Sequence, residues 1–339
     1  MHNCRYSNSF VGVSTMSKLF RNSISIFTLA ALLSIAAIEI NTQVRPPLPR
    51  PSSKSIVTQT VGTTDITVAF SRPAVKGRAI YGDWPTAVAG EATLDNQNQR
   101  PAGAPIVPYG HVWRAGANEA TLFTFADDVV VNGQPLAAGK YSFHAIPAKD
   151  GEWTLIFNKD DGQWGSFTYD AKKDALRVKA KAQMVSDNQE LLAYDFDNVG
   201  DKSATVVLAW EKARVPFTVE VKDVVGSTMA RLKAYVADGK ADDWQRPFNA
   251  ANYAKTNKLT DDATKWYDQA VKAVDMQIAA KPTFANYRSK ATVLINAGRM
   301  QEGLVAAEKA VEVGKAEKAD ATQVAALEKR IADIKAGKL

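Results

Sequence analysis

The stretch VVVNGQPLAAGKYSFHAIP, Val129–Pro147, decides the reading of the fold. Asn132-Gly133 suits the left-handed backbone of a tight hairpin turn, so the stretch predicts two strands joined there. Alternation continues outward on both sides. Ile66, Val68 and Phe70 recur with small or polar residues between them, and Trp153, Leu155 and Phe157 do so less cleanly. Leu176 and Val178 alternate with Arg177, Lys179 and Lys181, and Val215, Phe217, Val219 and Val221 close the series. A period of two places one face of each strand against a core. Turn signals at Ala138-Gly139, Asp161-Gly162 and Asn198–Gly200 separate the runs. Roughly eight to ten short strands at this spacing predict an antiparallel β-sandwich or barrel-like domain over residues 56–222.

Beyond Lys222 the period becomes helical. Val225, Met229, Leu232 and Val236 form one stripe, and Tyr267, Val271, Val274 and Ile278 another. Thr260 reads as the N-cap of the second, with Asp261 and Asp262 in its first turn. Pro282 and Thr283 open a helix burying Tyr287, Ala291 and Leu294. Gly298 breaks the chain before a helix carrying Leu304, Ala307 and Val311. Gly314 is expected to end that helix, and a last one runs to about Ala336. Ala285–Gly314 resembles a single degenerate tetratricopeptide repeat, too little for a solenoid. The expected architecture is therefore α+β in two domains, with an all-α, tetratricopeptide-like domain over 223–339.

The N-terminal 40 residues read as an export signal. Lys18 and Arg21 precede the apolar run Ser23–Ile38, with Ser34 and Ala36 near a plausible cleavage point, and Met16 is an alternative start. Residues 41–55 are a Pro/Ser-rich linker. Removing the signal takes away Cys4, the single cysteine, and with it any thiol nucleophile, disulfide or zinc-thiolate site. The formal charge falls from +6 to about +4. No run of basic residues suits nucleic acid, and no other stretch reaches the about 18 apolar residues of a membrane span. The expected place is the periplasm or cell envelope.

Five ordered motifs carry a resemblance. They are FSRPAVKGRAIYG (Phe70–Gly82), VPYGHVWRAGANEATLFTF (Val107–Phe125), AGKYSFHAIP (Ala138–Pro147), EWTLIFNKD (Glu152–Asp160) and DALRVKAKA (Asp174–Ala182). Together they resemble the DUF2911 family, found mainly in Bacteroidetes, and the helical tail is similar to those of its longer members. The resemblance implies an exported β-domain with a helical extension and no established activity. An asparagine synthetase label attached to some relatives has no support here, because amide transfer needs a mature cysteine and pyrophosphate chemistry a Ser/Gly-rich loop. Two departures stand out. Asp83–Pro105 is an inserted Gly/Pro/Asn-rich loop, and His111 stands where the family commonly has Lys.

The candidate ligand-binding residues are Arg72, Lys76, Arg78, Tyr109, Trp113, Arg114, Asn118 and Glu119. Arg72, Lys76 and Arg78 place three cations near one Pro/Gly-punctuated loop, which suits anion capture or a solvated basic turn. Arg114 with Trp113 suits an anionic or polyol ligand, or an internal ion pair with Glu119 or Asp174. Trp84, Trp164 and Trp244 lie in polar surroundings, as sugar-stacking platforms or seam packing. His111 and His144 lack the spacing of a metal pair, no Gly-x-Ser-x-Gly elbow supports a serine triad, and neither metal nor cofactor is expected. The first reading is a non-enzymatic binding module for an anionic or carbohydrate ligand. The alternatives are an envelope-polymer hydrolase using Glu119 and Asp174, and a protein partner bound in a groove of the helical domain around Tyr287 and Leu294.

Overall fold

The computed structural model describes residues 48–84 and 100–338. The export-signal reading and most of the inserted loop lie outside the described residues. Among the described residues, twelve strands lie within Ser53–Val221 and six helices follow from Val224 to Lys335, all within one compact unit that begins at Pro51.

Strands β1 (Ser53–Val61), β2 (Thr64–Arg72), β5 (Thr121–Phe125), β8 (Gly139–Ile146), β9 (Glu152–Asn158) and β10 (Asp174–Lys181) form an antiparallel sheet in the order 1-2-5-8-9-10. A second antiparallel sheet has the order 11-12-6-7, from β11 (Gln183–Asp197), β12 (Ser203–Val221), β6 (Val129–Val131) and β7 (Gln134–Leu136). The short β3 (Tyr81–Gly82) and β4 (Val107–Pro108) pair in parallel. The two larger sheets share one core. Phe123, Phe143 and Phe157 of the first meet Phe217 of the second, with the Phe143 and Phe217 rings stacked at 5.7 Å. Such aromatic pairs add stabilisation beyond their burial, and their inward alternation is the period of two read from sequence.

Asn132 and Gly133 adopt φ values of 44° and 82° and close the hairpin from β6 to β7. The stretch that opened the reading is nevertheless three strands rather than two. After β7 the chain changes sheet, and Gly139–Ile146 pairs with β5 and β9 instead. The first strand begins at Ser53, within the stretch read as linker.

The helices are α1 (Val224–Ala237), α2 (Gln245–Thr256), α3 (Thr260–Ala280), α4 (Phe284–Asn296), α5 (Met300–Ala316) and α6 (Ala321–Lys335). Their apolar stripes share a second core that includes Met229, Trp266, Tyr267 and Leu294. Two end assignments are corrected. Leu259 is the N-cap of α3, with no side-chain capping bond, and Thr260 is its first helical residue. Gly314 lies inside α5, where a Cβ would sit 2.8 Å from Phe284 Cδ2; its smallness permits close packing and does not stop the helix. Asp127, just before β6, joins the β-domain to α1: Thr64 Oγ1 donates to it at 2.6 Å and Arg231 at 2.7 Å. No helix among the described residues is long and apolar enough to cross a membrane.

Candidate functional site

The segment following β2 is shaped by pairing with a distant strand. Pro73 ends β2, and β11 carries an irregularity that frees residues 190–192 from β12. Those residues bond the loop instead. Val75 N donates to Glu190 O at 2.8 Å, and Leu192 N donates to Pro73 O at 3.0 Å. Arg72 Nε donates to Leu192 O at 2.8 Å from the same side. Lys76 (φ 48°) and Gly77 (φ 67°) then reverse the chain. The Arg78 guanidinium is held on the carbonyls of Val75 and Ala74, both neutral acceptors, so its charge is oriented without being cancelled.

The segment Val107–Phe125 feeds a strand while its polar middle turns aside. Trp113 exchanges backbone bonds with Ala145 of β8 at 2.8 and 2.9 Å, which drives its indole into the core, stacked on Trp210 at 5.7 Å. The chain then passes through two left-handed non-glycine residues, Ala115 (φ 48°) and Asn118 (φ 61°). Each such residue costs about 1–2 kcal/mol, so the surroundings must hold it. Ala115 O accepts from Thr121 Oγ1 at 2.9 Å and Tyr194 Oη at 2.8 Å, and Asn118 Nδ2 donates to Ser52 O and Ser71 Oγ. Arg114, 7% exposed, donates from Nη1 to Asn118 O at 2.7 Å and lies 5.6 Å from the centre of the Phe167 ring.

A third segment, residues 163–167, packs against the second. Ala120 N donates to Gln163 O and Gly165 N donates to Asn118 O, both at 3.0 Å. Its residues face two ways. Trp164 and Phe167 are exposed, whereas Gln163 and Ser166 are buried. Ser166 Oγ lies 3.0 Å from His144 Nδ1, and Ser142 Oγ lies 3.1 Å from His144 Nε2, so both ring nitrogens have hydroxyl partners. Burial drives the His144 pKa down to about 4, with Arg114 adding to the effect against the opposing pull of Asp174 and Asp160. Gly165 adopts φ 68°, and a Cβ there would meet Arg114 Nη1 at 3.1 Å. Gly165→Ala is accordingly expected to lower stability by about 1–2 kcal/mol and to displace the guanidinium, measured by chemical denaturation.

These segments enclose a cavity of about 850 Å³. Among the described residues its cations are Lys76, Arg78, Arg100 and Arg114, and no carboxylate lines it. Its aromatic walls are Trp84, Trp113, Trp164, Phe167 and Trp210. Arg100 Nη1 rests on Ala104 O at 2.9 Å, another neutral acceptor. Trp210 precedes Glu211, whose φ of 54° marks the β12 side of the irregular pairing with β11. The Trp210 indole N–H is buried with no hydrogen-bond partner among the described residues.

Of the residues singled out in sequence, the cavity brings together Lys76, Arg78, Trp113, Arg114 and Asn118. It does not include Arg72, which braces the loop, or Tyr109, whose N–H pairs with Gly82 O. Nor does it include Glu119, which is exposed and bridges Trp164 through the backbone. Two of the three tryptophans noted as stacking candidates line it. Trp84 is buried, with Nε1 donating to Pro105 O at 2.8 Å, and Trp164 is exposed. Trp244 packs on Phe248 among the helices. Arg100, Phe167 and Trp210 were not singled out, since nothing local distinguishes them. Asp174 is occupied elsewhere: it accepts from Asn158 Nδ2 at 2.7 Å, Tyr169 Oη at 2.8 Å and Arg177 Nε at 2.6 Å. On the helical domain Leu294 is buried in the core and Tyr287 is half-buried. A smaller cleft of about 240 Å³ lies between α4 and α6, with Ile295, Leu327 and Ile331 in its walls. No three His, Cys, Asp or Glu side chains converge as a metal-ligand set among the described residues.

Neither a curated protein nor a solved structure matches this chain. Residues 52–219, nearly all of the sheets and of the cavity wall, match the family described as protein of unknown function (DUF2911), and the chain belongs to that family.

Proposed function

We propose that this protein is an exported, non-enzymatic binding module that captures an organic anion in the cavity of its β-domain. One observation carries the reading: four cations face a cavity that no carboxylate among the described residues lines. Lys76, Arg78 and Arg100 have no ion-pair partner among the described residues, and the two arginines are steadied by backbone carbonyls. Lys76 and Arg78 are exposed and Arg100 is half-buried, so this charge faces solvent at the cavity and raises the local concentration of anions there. The size of the cavity suits a small organic molecule. Export rests on the basic residues and apolar run at the N-terminus, Lys18 to Ile38.

Hydrolysis by a carboxylate pair is the weaker reading, because Asp174 is held by three donors and neither it nor Glu119 lines the cavity. Titration calorimetry of the full chain against polyvalent organic anions is expected to give saturable binding that weakens with salt. Lys76→Ala/Arg78→Ala should lower the affinity at least about tenfold and flatten the salt dependence. Unchanged affinity in that variant would remove the cavity from consideration.

A further inference from the structure

We infer that the ligand is a short acidic saccharide, its sugar rings laid on Trp164 and Phe167 and its carboxylates turned toward the cations of the cavity. The inference rests on the binding reading above and names its substrate class.

Charge alone does not account for the cavity. An inorganic oxyanion needs a few donors around one point, whereas about 850 Å³ falls in the upper part of the range for sites that enclose small organic molecules. The walls divide into two kinds of aromatic surface. Trp113 and Trp210 are buried and stacked on each other with an interplanar angle of 18°, so no ring can enter between them. Trp164 and Phe167 are 43% and 47% exposed, both border the cavity, and both belong to one five-residue segment. Two exposed aromatic rings on the wall of one cavity are the kind of apolar surface that marks a ligand-binding groove.

The segment that carries these rings is also held in place. The segment is pinned by the Gln163 O and Gly165 N bonds to the Asn118–Ala120 backbone and by Ser166 against buried His144. Arg114 stands over the Phe167 ring and fixes the other side. A pinned ring with one open face presents a flat, apolar platform at little entropic cost on binding. The C–H face of a pyranose fits such a platform, while an aryl ring gains most when gripped on both faces. The hydroxyls of a sugar need acceptors, and one is available: Asn118 lines the cavity and spends its amide nitrogen on Ser52 and Ser71, which leaves Oδ1 as an acceptor. Platform, acceptor and cations together match a uronic acid more closely than a bare anion, a neutral sugar or an aryl acid.

The test is calorimetry and thermal melting of the full chain with trimers of galacturonic, mannuronic and glucuronic acid. A neutral glucose trimer, inorganic phosphate, sulfate and benzoate serve as comparison probes. At least one acidic trimer is expected to bind about tenfold or more tightly than every comparison probe. Trp164→Ala, an exposed position whose loss should leave the melting temperature within a few degrees, is expected to weaken that binding about tenfold. Phe167→Leu keeps bulk without the aromatic face and should weaken it less. Tighter binding of phosphate, sulfate or benzoate, or acidic-trimer affinity untouched in Trp164→Ala, would overturn the saccharide assignment while the anion reading stands. Failure of every probe at millimolar concentration would overturn both.

Discussion

Lowering the pH from about 6.5 to 4 is expected to cost the folded protein about 3 kcal/mol through His144 alone. His144 is wholly buried, and burial holds its folded pKa near 4, below the value of an unfolded histidine. Between those two values the unfolded chain takes up a proton that the folded chain refuses. Stability therefore falls as the pH falls through this window, and His144 contributes no further change below about 4. Depressed carboxylates such as Asp127, held down by Thr64 and Arg231 against the opposing effect of burial, lose their contribution at lower pH, so the windows separate. Urea denaturation at half-unit intervals should show the decline in the wild type. His144→Gln should show a much flatter profile over the same interval, from a lower stability at neutral pH. A wild-type profile that stays level from 6.5 to 4.5 would mean that the imidazole is hydrated in solution. Because Ser166 links this ring to the Trp164–Phe167 wall, acidification should also loosen the cavity before the sheets unfold.

Asp174→Ala is expected to destabilise the protein by about 2–4 kcal/mol. The carboxylate is largely buried and gathers Asn158, Tyr169 and Arg177, the first two from opposite ends of the β9–β10 connection. Its removal takes the carboxylate from Arg177, which keeps the Tyr169 hydroxyl as an acceptor, and one acceptor each from Tyr169 and from Asn158, which keeps Asp170 O; it also loosens the same connection that carries Trp164 and Phe167. Asp174→Asn keeps one acceptor and should cost roughly half as much. The anion affinity of the refolded variants provides the contrast. If Asp174 were half of a catalytic pair, alanine would remove an activity and leave the melting temperature nearly unchanged, since catalytic residues are seldom chosen for stability. A change of less than one degree would contradict the structural role.

Part of this site was legible from residues alone. Lys76, Arg78, Trp113, Arg114 and Asn118 stand out because cations, indole and amide are packed into segments punctuated by Pro and Gly, where a strand cannot continue. Arg72 and Glu119 carry the same local signal and have other places: Arg72 bonds the irregular stretch of β11, and Glu119 bridges Trp164 through the backbone. Phe167 and Trp210 carry no local signal of their own. Trp210 sits in an apolar strand run that reads as core, and only the irregularity opposite it leaves room for a cavity. Helix α2 was hidden for a related reason. Its buried face is largely alanine, Ala250, Ala251 and Ala254, too weakly apolar to register as a stripe.

By itself the sequence determined the β-to-α order, the Asn132-Gly133 hairpin, most helical stripes and the family. All of these are written in periodicity, turn chemistry or contiguous motifs, which depend on neighbours a few residues apart. Only the tertiary structure decided that β7 and β8 belong to different sheets, that residues 190–192 hold the Lys76–Arg78 loop, and that Arg114 meets Phe167. Those pairings join residues far apart in the chain. They are set by which apolar faces can be buried together, a choice that no local window of sequence contains.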